Sequence, residues 1–130
     1  MVDDLRSRLA IENTVNVSIV PVNARIASVA PRRGATLSFD LSIEGAFLDG
    51  LSDDELSAVI AHELGHVWVS THHPYLQTER LANSIAMRVV SRESLERVYG
   101  KLWGRDGSKG DIVQFLGPPV VEAALVAARD

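Results

Sequence analysis

The sequence contains no cysteine among its 130 residues, which excludes disulfides, thiolate metal sites and cysteine nucleophiles. Aromatic residues make up only 5% of the chain, and no apolar run approaches the roughly 20 residues of a membrane span. Acidic residues outnumber basic ones and leave a net charge of −4. Because a nucleic-acid-binding protein needs a broad cationic face, this balance argues against one. Residues 1–6 carry acids where a signal peptide has a basic head. We therefore expect a cytoplasmic protein or an excised catalytic core.

The composition is that of an ordinary globular protein, with 46% hydrophobic and 23% charged residues. A chain of this length can bury a core of its own and leaves little room for a second domain. We expect residues 1–130 to form one domain with three parts. These are an N-terminal helix and sheet (1–50), a pair of helices that carries the motif described below (51–90), and a C-terminal helical region (91–130).

The first half of the chain alternates apolar and polar residues in a way that is typical of half-buried strands. A short amphipathic helix at 3–12 is followed by alternating segments at 14–20, 24–29 and 35–43. Because the links between these segments are short, we predict a small, largely antiparallel sheet.

The second half of the chain has helical periodicity. Ser52 and Glu55 form a capping box, which marks the start of a helix. Pro74 breaks the pattern, since proline cannot continue a helix. The predicted helices span residues 52–69, 76–90, 91–103 and 118–130. Strands followed by helices indicate an α+β fold, with the sheet packed on the helices.

The motif His62-Glu63-Leu64-Gly65-His66 lies inside the first of these helices. The i, i+4 spacing puts both histidines on one face, where two neutral imidazoles can reach one tetrahedral Zn²⁺ at about 2.0–2.1 Å. Glu63 points to the side, where it can take a proton from a water on the metal without being a ligand. A mid-helix glycine costs about 1 kcal/mol relative to alanine, so Gly65 indicates close approach of another element.

A catalytic zinc site needs a third protein ligand and one open position. Glu79 lies 13 residues after His66 (79 − 66), early on the next helix, which can fold back over the histidine pair. Asn83 is one turn further along and could hydrogen-bond a ligand from the second shell. The alternative for Glu79 is an exposed acid that interacts with the positive end of its helix. His72 and His73 follow the first helix too closely to swing back easily.

Residues 51–66, followed by Glu79-x-x-Ala82-Asn83-x-x-Ala86, resemble the gluzincin metallopeptidases. The similarity is greatest to the soluble, zincin-like core shared by the prenyl-protein and heat-shock-type membrane proteases and the single-domain minigluzincins. It covers roughly residues 23–90 and implies that Glu79 completes the zinc site. Asn83 stands where the family usually has aspartate. A related family, the proteases of the anti-repressor and radiation-response type, has Glu-x-x-Ala-Asn in the same role.

The resemblance also implies where substrate binds. In this group the strand before the metal helix lies over the cleft and binds an extended peptide as an added strand. Here that strand offers Leu37, Ser38, Phe39, Asp40 and Leu41. Any exposed strand edge offers unpaired N–H and C=O groups to a peptide. We expect a peptide or unfolded protein as substrate.

The combined prediction is a zinc-dependent metalloendopeptidase. His62, His66 and Glu79 hold Zn²⁺, and Glu63 is the general base. The apolar segment 118–130 leads to a further expectation, that the enzyme is weak or latent because this segment covers the cleft. The alternative is that the segment packs as a core helix.

Two rival hypotheses belong to other classes of protein. One is a catalytically inactive, zinc-containing binding or regulatory module of the same fold, and the other is a metal-free structural domain. The sequence leaves the oligomeric state open. It also leaves open the group that stabilises the oxyanion, for which the candidates are Tyr75, His72, His73, Tyr99 and Arg105.

Overall fold

The strands lie in the first half of the chain and most of the helices in the second half, which confirms the α+β layout. The computed structural model describes residues 1–106 and 112–117. The predicted helix at 118–130 lies outside the described residues. No helix in the described part of the chain is long and apolar enough to cross a membrane. In chain order the elements are α1 (Val2–Arg8), β1 (Val15–Val20), β2 (Ala27–Arg32), β3 (Ser38–Glu44), α2 (Gly45–Asp49), α3 (Asp53–His72), a 3-10 turn (Pro74–Leu76), α4 (Glu79–Ala86), α5 (Arg92–Asp106) and α6 (Ile112–Leu116).

The sheet is mixed and not largely antiparallel as predicted. Its strand order is β1-β3-β2, with β1 parallel to β3 and β2 antiparallel to it. The reason is the path of the loop 21–26, which passes over the end of β3. In that loop the Asn23 backbone N–H donates to Glu44 Oε2 at 3.3 Å, and the Asn23 side chain donates to the Ser42 carbonyl at 3.4 Å. β2 therefore starts beside the end of β3, so β1 and β2 pair with β3 and not with each other.

β3 is the central strand, so the expectation that this strand offers an open edge through residues 37–41 is wrong. Phe39 lies opposite Val15 on one side and Pro31 on the other, and Ser38, Asp40 and Leu41 are also paired. Leu37 precedes the strand, and its carbonyl accepts a hydrogen bond from Asn13 at 3.1 Å. Among the described residues, the open edges belong to β1 and β2.

α3 begins at the predicted capping box. Ser52 Oγ accepts from the Glu55 backbone N–H at 3.2 Å, and Glu55 Oε1 accepts from the Ser52 backbone N–H at 2.8 Å. Ile60, Leu64 and Val67 of this helix are buried in one core cluster with residues of the sheet and the first helix, and the partly buried Leu56 packs against it. The helix runs three residues past its predicted end, as far as His72.

An ion pair between the buried Glu55 and the exposed Lys101 joins α5 to the first turn of α3. Lys101 Nζ donates to Glu55 Oε1 at 2.6 Å, and Arg97 Nε lies 3.8 Å from Glu55 Oε2. The hydrogen bond from Lys101, with those from Ser52, lowers the pKa of Glu55 to about 2. The carboxylate that caps α3 therefore also anchors α5.

Gly65 is the point where α3 and α4 cross. A methyl group at this position would overlap the Ala82 carbonyl oxygen and would lie 2.8 Å from the carbonyl carbon. The backbone of α4 thus passes directly against the backbone of α3, which confirms the close approach that a mid-helix glycine predicts.

Gly65→Ala should lower the free energy of unfolding by about 2 kcal/mol, because overpacking against backbone outweighs the gain of about 1 kcal/mol in helix propensity. Gly100→Ala is the matched control, since Gly100 is also helical and has no atom within 4 Å of an added methyl. Urea unfolding measures both. Equal stability gains in the two variants would contradict the crossing described here.

Lys101→Met should lower the free energy of unfolding by about 1 kcal/mol at pH 7. Because the pKa of Glu55 is lowered in the folded protein, its stabilising effect is present above the ordinary value of 4.5 and is lost as pH falls towards about 2. The difference between wild type and variant should therefore shrink below pH 4.5, as urea unfolding at several pH values would show. Arg97→Met, which removes the longer contact, should have a smaller effect. A difference that does not change with pH would refute this account.

Candidate metal centre

Three potential metal ligands converge where α3 and α4 cross. The imidazoles of His62 and His66 lie one turn apart on α3, with their ring centroids 4.9 Å apart. Glu79 Oε2 is 2.8 Å from His62 Nε2 and 3.3 Å from His66 Nε2. One ligand atom from each residue lies within 4.8 Å of the other two. His72 and His73 are not part of this group.

The turn between the two helices places Glu79 at the start of α4. Pro74 starts a 3-10 turn, and the extended residue Thr78 then caps α4 by accepting from the Leu81 backbone N–H at 3.0 Å. α4 therefore begins at Glu79, three residues later than the predicted helix, and ends at Ala86. Glu79 is exposed and is the first residue of α4, as the alternative expects, and its carboxylate also faces two imidazoles.

Asn83 fixes the proton on His62. Its Nδ2 donates to the Tyr99 hydroxyl at 2.8 Å and to the Phe115 carbonyl at 2.9 Å, and its Oδ1 lies 2.6 Å from His62 Nδ1. A backbone carbonyl only accepts, so the orientation of the amide follows from Phe115. His62 Nδ1 must then carry the proton, and Nε2 presents its lone pair towards Glu79.

Gln77 fixes the proton on His66 in the same way. This role was not predicted from the sequence. Gln77 Nε2 donates to the His66 carbonyl and to Ser70 Oγ, both at 2.8 Å, so Gln77 Oε1 faces His66 Nδ1 at 2.8 Å. Gln77 lies in a break between helices, where no periodicity marks it. Only the path of the turn after Pro74 brings it back to α3.

When both imidazoles are neutral, the three side chains form a cluster of acceptors with no proton between them. When both Nδ1 atoms are donors, the two neutral Nε2 atoms present lone pairs to a carboxylate oxygen. Three acceptors this close repel one another unless a cation or a proton lies between them. Two imidazoles and one carboxylate, each imidazole oriented by an amide, form a donor set that suits a zinc site with an open fourth position.

The same arrangement shifts the pKa values of His62, His66 and Glu79. Burial lowers the pKa of His62 and of His66, but hydrogen bonds to Glu79 and the nearby carboxylates outweigh burial and leave both pKa values raised. The hydrogen bonds from the two histidines in turn hold the pKa of Glu79 well below its usual range. The site thus favours positive charge between these three side chains.

Glu63 lies beside the cluster and outside it. Its carboxylate is buried, and Oε1 is 3.9 Å from His62 Nε2. Burial raises the pKa of Glu63, and the fields of the two histidines offset this in part. A carboxyl group whose pKa is raised towards neutrality is suited to accept and return a proton.

A cleft of about 820 Å³ opens from the site between β2 and the helices. Its polar lining includes the two histidines, Glu63, Gln77 and Glu79, and its apolar lining includes residues of α5 and α6 together with Phe39 and Phe47. Of the five residues predicted to bind substrate, only Phe39 lines this cleft. The neighbouring β2 contributes Ala27, Ser28, Val29 and Pro31 instead.

The candidates for stabilising the oxyanion are not gathered at the site. Tyr99 lines the cleft, but its hydroxyl accepts from Asn83 and burial raises its pKa to about 12. His72 stacks on Trp68 with ring centroids 3.9 Å apart, and Tyr75 is 98% exposed. The side chain of Arg105 lies outside the described part of the chain.

Comparison with known proteins agrees with this geometry. Residues 36–127, which are more than half of the chain, match the model of peptidase family M48. The chain belongs to peptidase family M48. This confirms the resemblance to metallopeptidases. The fold is similar to the crystal structure of the metallopeptidase zymogen of Pyrococcus abyssi abylysin, with a TM-score of 0.56 and 19% identity over 85% of this chain and 100% of that one. No curated protein matches the sequence significantly.

Glu79→Ala should reduce the zinc content of the purified protein as sharply as His62→Ala or His66→Ala does, because each removes one of three converging ligand atoms. His72→Ala and His73→Ala are the matched controls and should retain the metal. Elemental analysis after dialysis measures the content. Full zinc retention by Glu79→Ala would rule Glu79 out as the third ligand.

Proposed function

We propose that this M48 family member is a zinc-dependent metalloendopeptidase. In this proposal His62, His66 and Glu79 hold Zn²⁺, and Glu63 is the general base. The observation that carries it is the convergence of two imidazole lone pairs and a carboxylate oxygen within 4.8 Å of one another. Both imidazoles have their protons directed away from this point by amide oxygens. A divalent cation relieves that repulsion better than any side chain nearby.

Zinc, when bound, supplies a Lewis acid that polarises the scissile carbonyl and activates water. The chain's own contribution to the chemistry is Glu63. Its buried carboxylate accepts the proton from the attacking water and then donates it to the leaving amine. Asn83 and Gln77 hold the imidazoles in the tautomer that leaves each Nε2 free to bind.

β2 is the strand that we propose to hold the peptide. It is an edge strand, it lines the cleft, and its neighbour β3 is closed on both sides. The Glu44 N–H donates to the Ile26 carbonyl, so alternation along the strand turns the backbone groups of Ser28 towards β3 and those of Val29 outward, where they can pair with an extended substrate. Pro31 has no N–H to donate, so pairing weakens towards that end of the strand. The substrate is therefore a peptide or an unfolded segment of protein.

The alternative is an inactive zinc-containing module of the same fold. The open cleft that reaches Glu63 supports hydrolysis over this alternative. Cleavage of casein, with a chelator as control, separates the two. Zinc content after purification without added metal separates both from a metal-free structural domain.

Restraint of activity by residues 118–130 stays a prediction, because that segment lies outside the described residues. The relative whose fold is similar was itself solved as a zymogen. A truncation to test this idea should follow Gly117. A cut after Trp103 would remove α6, whose Phe115 carbonyl orients Asn83. Faster casein cleavage by the chain that ends at Gly117 supports restraint.

Glu63→Gln should retain zinc while hydrolysis falls by about 10²- to 10⁴-fold, since glutamine keeps the shape but cannot accept a proton. Zinc analysis and casein cleavage on the same preparation separate loss of the base from loss of the metal. Glu93→Gln is a suitable control, because it makes the same change at an exposed residue of α5 that does not line the cleft. Wild-type activity in a clean Glu63→Gln preparation would disprove the mechanism.

A further inference from the structure

Arg25 is a cationic side chain at the cleft that has no partner among the described residues. Among the described residues it is the only lysine or arginine that lines the cleft. Its side chain is exposed and makes no ion pair or hydrogen bond with another described residue. Burial raises the pKa of Glu63, and the charge of Arg25 offsets a small part of that rise, which agrees with its location near the site. Arg25 therefore presents its charge to the space where substrate binds.

The backbone around Arg25 is held in place. Asn23 Oδ1 accepts from the Arg25 backbone N–H at 2.9 Å, and the Arg25 carbonyl accepts from the Ala27 N–H at 2.8 Å. Between them, Ile26 has a φ of 69°, an unfavourable conformation for a β-branched residue. Its N–H donates to the Asn23 carbonyl, and its carbonyl accepts from the Glu44 N–H, both at 2.8 Å. Strained backbone of this kind persists where the surroundings enforce it, often at a binding site.

Arg32, the last residue of β2, shows what a structural arginine looks like nearby. Its Nε donates to Asp40 Oδ2 across the sheet at 2.9 Å, and it does not line the cleft. Arg25, in the loop that precedes β2, forms no such ion pair with any residue in the described part of the chain. The two differ in environment and not in charge, which makes Arg32 a matched reference.

We propose that Arg25 binds a carboxylate of the peptide substrate, within a few residues of the bond that is cleaved. The inference rests on the proposed peptidase function and names its substrate class. A guanidinium group matches a carboxylate in charge and in bidentate geometry. The site otherwise contains Glu63 and Glu79, which repel acidic substrates, so a peptide with an acid nearby needs a cation such as Arg25. That carboxylate is either an Asp or Glu side chain or the C-terminus of the peptide.

The competing role for Arg25 is stabilisation of the oxyanion. The two roles have different kinetic signatures. Oxyanion stabilisation acts on every substrate alike, so its loss lowers kcat for acidic and neutral peptides equally. Recognition of a carboxylate affects only those peptides that carry one, and its loss changes the ratio of their kcat/KM values.

The test uses the full-length zinc-loaded protein and quenched-fluorescence peptides built on a site cleaved in casein. One set replaces single positions on either side of the scissile bond with Glu or with its neutral isostere Gln. A second set shortens the peptide on the leaving side and ends it in a free carboxylate or in an amide. Wild type, Arg25→Gln, Arg25→Glu and the control Arg32→Gln are compared. Binding of the same peptides to Glu63→Gln and to Glu63→Gln/Arg25→Gln, followed by fluorescence anisotropy, gives a readout that does not need hydrolysis.

Wild type should cleave the acidic member of one peptide pair with a kcat/KM about ten times that of the neutral member. Arg25→Gln should remove the preference, Arg25→Glu should reverse it, and Arg32→Gln should keep it. The preference should weaken in high salt, because the contact is partly exposed. A preference for Glu over Gln identifies the carboxylate as a side chain, and a preference for the free carboxylate over the amide identifies it as the C-terminus of the peptide. The same preference unchanged in Arg25→Gln, no preference in wild type, or an equal loss of kcat on all peptides would overturn the inference. If wild type hydrolyses no peptide, the peptidase proposal fails, and the binding arm still decides whether Arg25 selects a carboxylate.

Discussion

The contact between Gly65 and the backbone of Ala82 is the constraint on which the metal centre depends. Glu79 lies one turn before Ala82 on α4, and His62 and His66 lie on either side of Gly65 on α3. A side chain at Gly65 would push the two helices apart, and the carboxylate would then no longer reach both imidazoles. The site therefore owes its geometry to the absence of a side chain at one position. That glycine lowers the helix propensity of α3, and in exchange it allows α4 to approach closely.

Around this crossing, hydrogen bonds fix which ring nitrogen of each histidine carries the proton. Asn83 and Gln77 each use an amide nitrogen on a backbone carbonyl and turn the amide oxygen to a histidine. The protons of both imidazoles are held away from Glu79, and the lone pairs are left to converge. An aspartate at position 83 could not donate to the Phe115 carbonyl. Asparagine at this position therefore fits the packing of α6.

Local sequence signals account for the centre of the molecule. The capping box predicts the start of α3, the i, i+4 spacing places the histidines, and Gly65 predicts the close approach. The strand order could not be predicted, because it depends on the loop 21–26 crossing the end of β3, a long-range choice that alternation does not encode. Gln77 was missed because it lies in a break. The short helices α2 and α6, five residues each, give too few positions for a periodic pattern.

The hydrogen bonds of Asn83 also govern when the site can mature during synthesis. A nascent chain that has completed α3 and α4 already possesses the two histidines, Glu79 and the amide that faces His62. The groups that fix that amide, Tyr99 and Phe115, are made 16 and 32 residues later. The ligand set of the candidate metal centre is therefore complete along the chain before the groups that hold the Asn83 amide have been added.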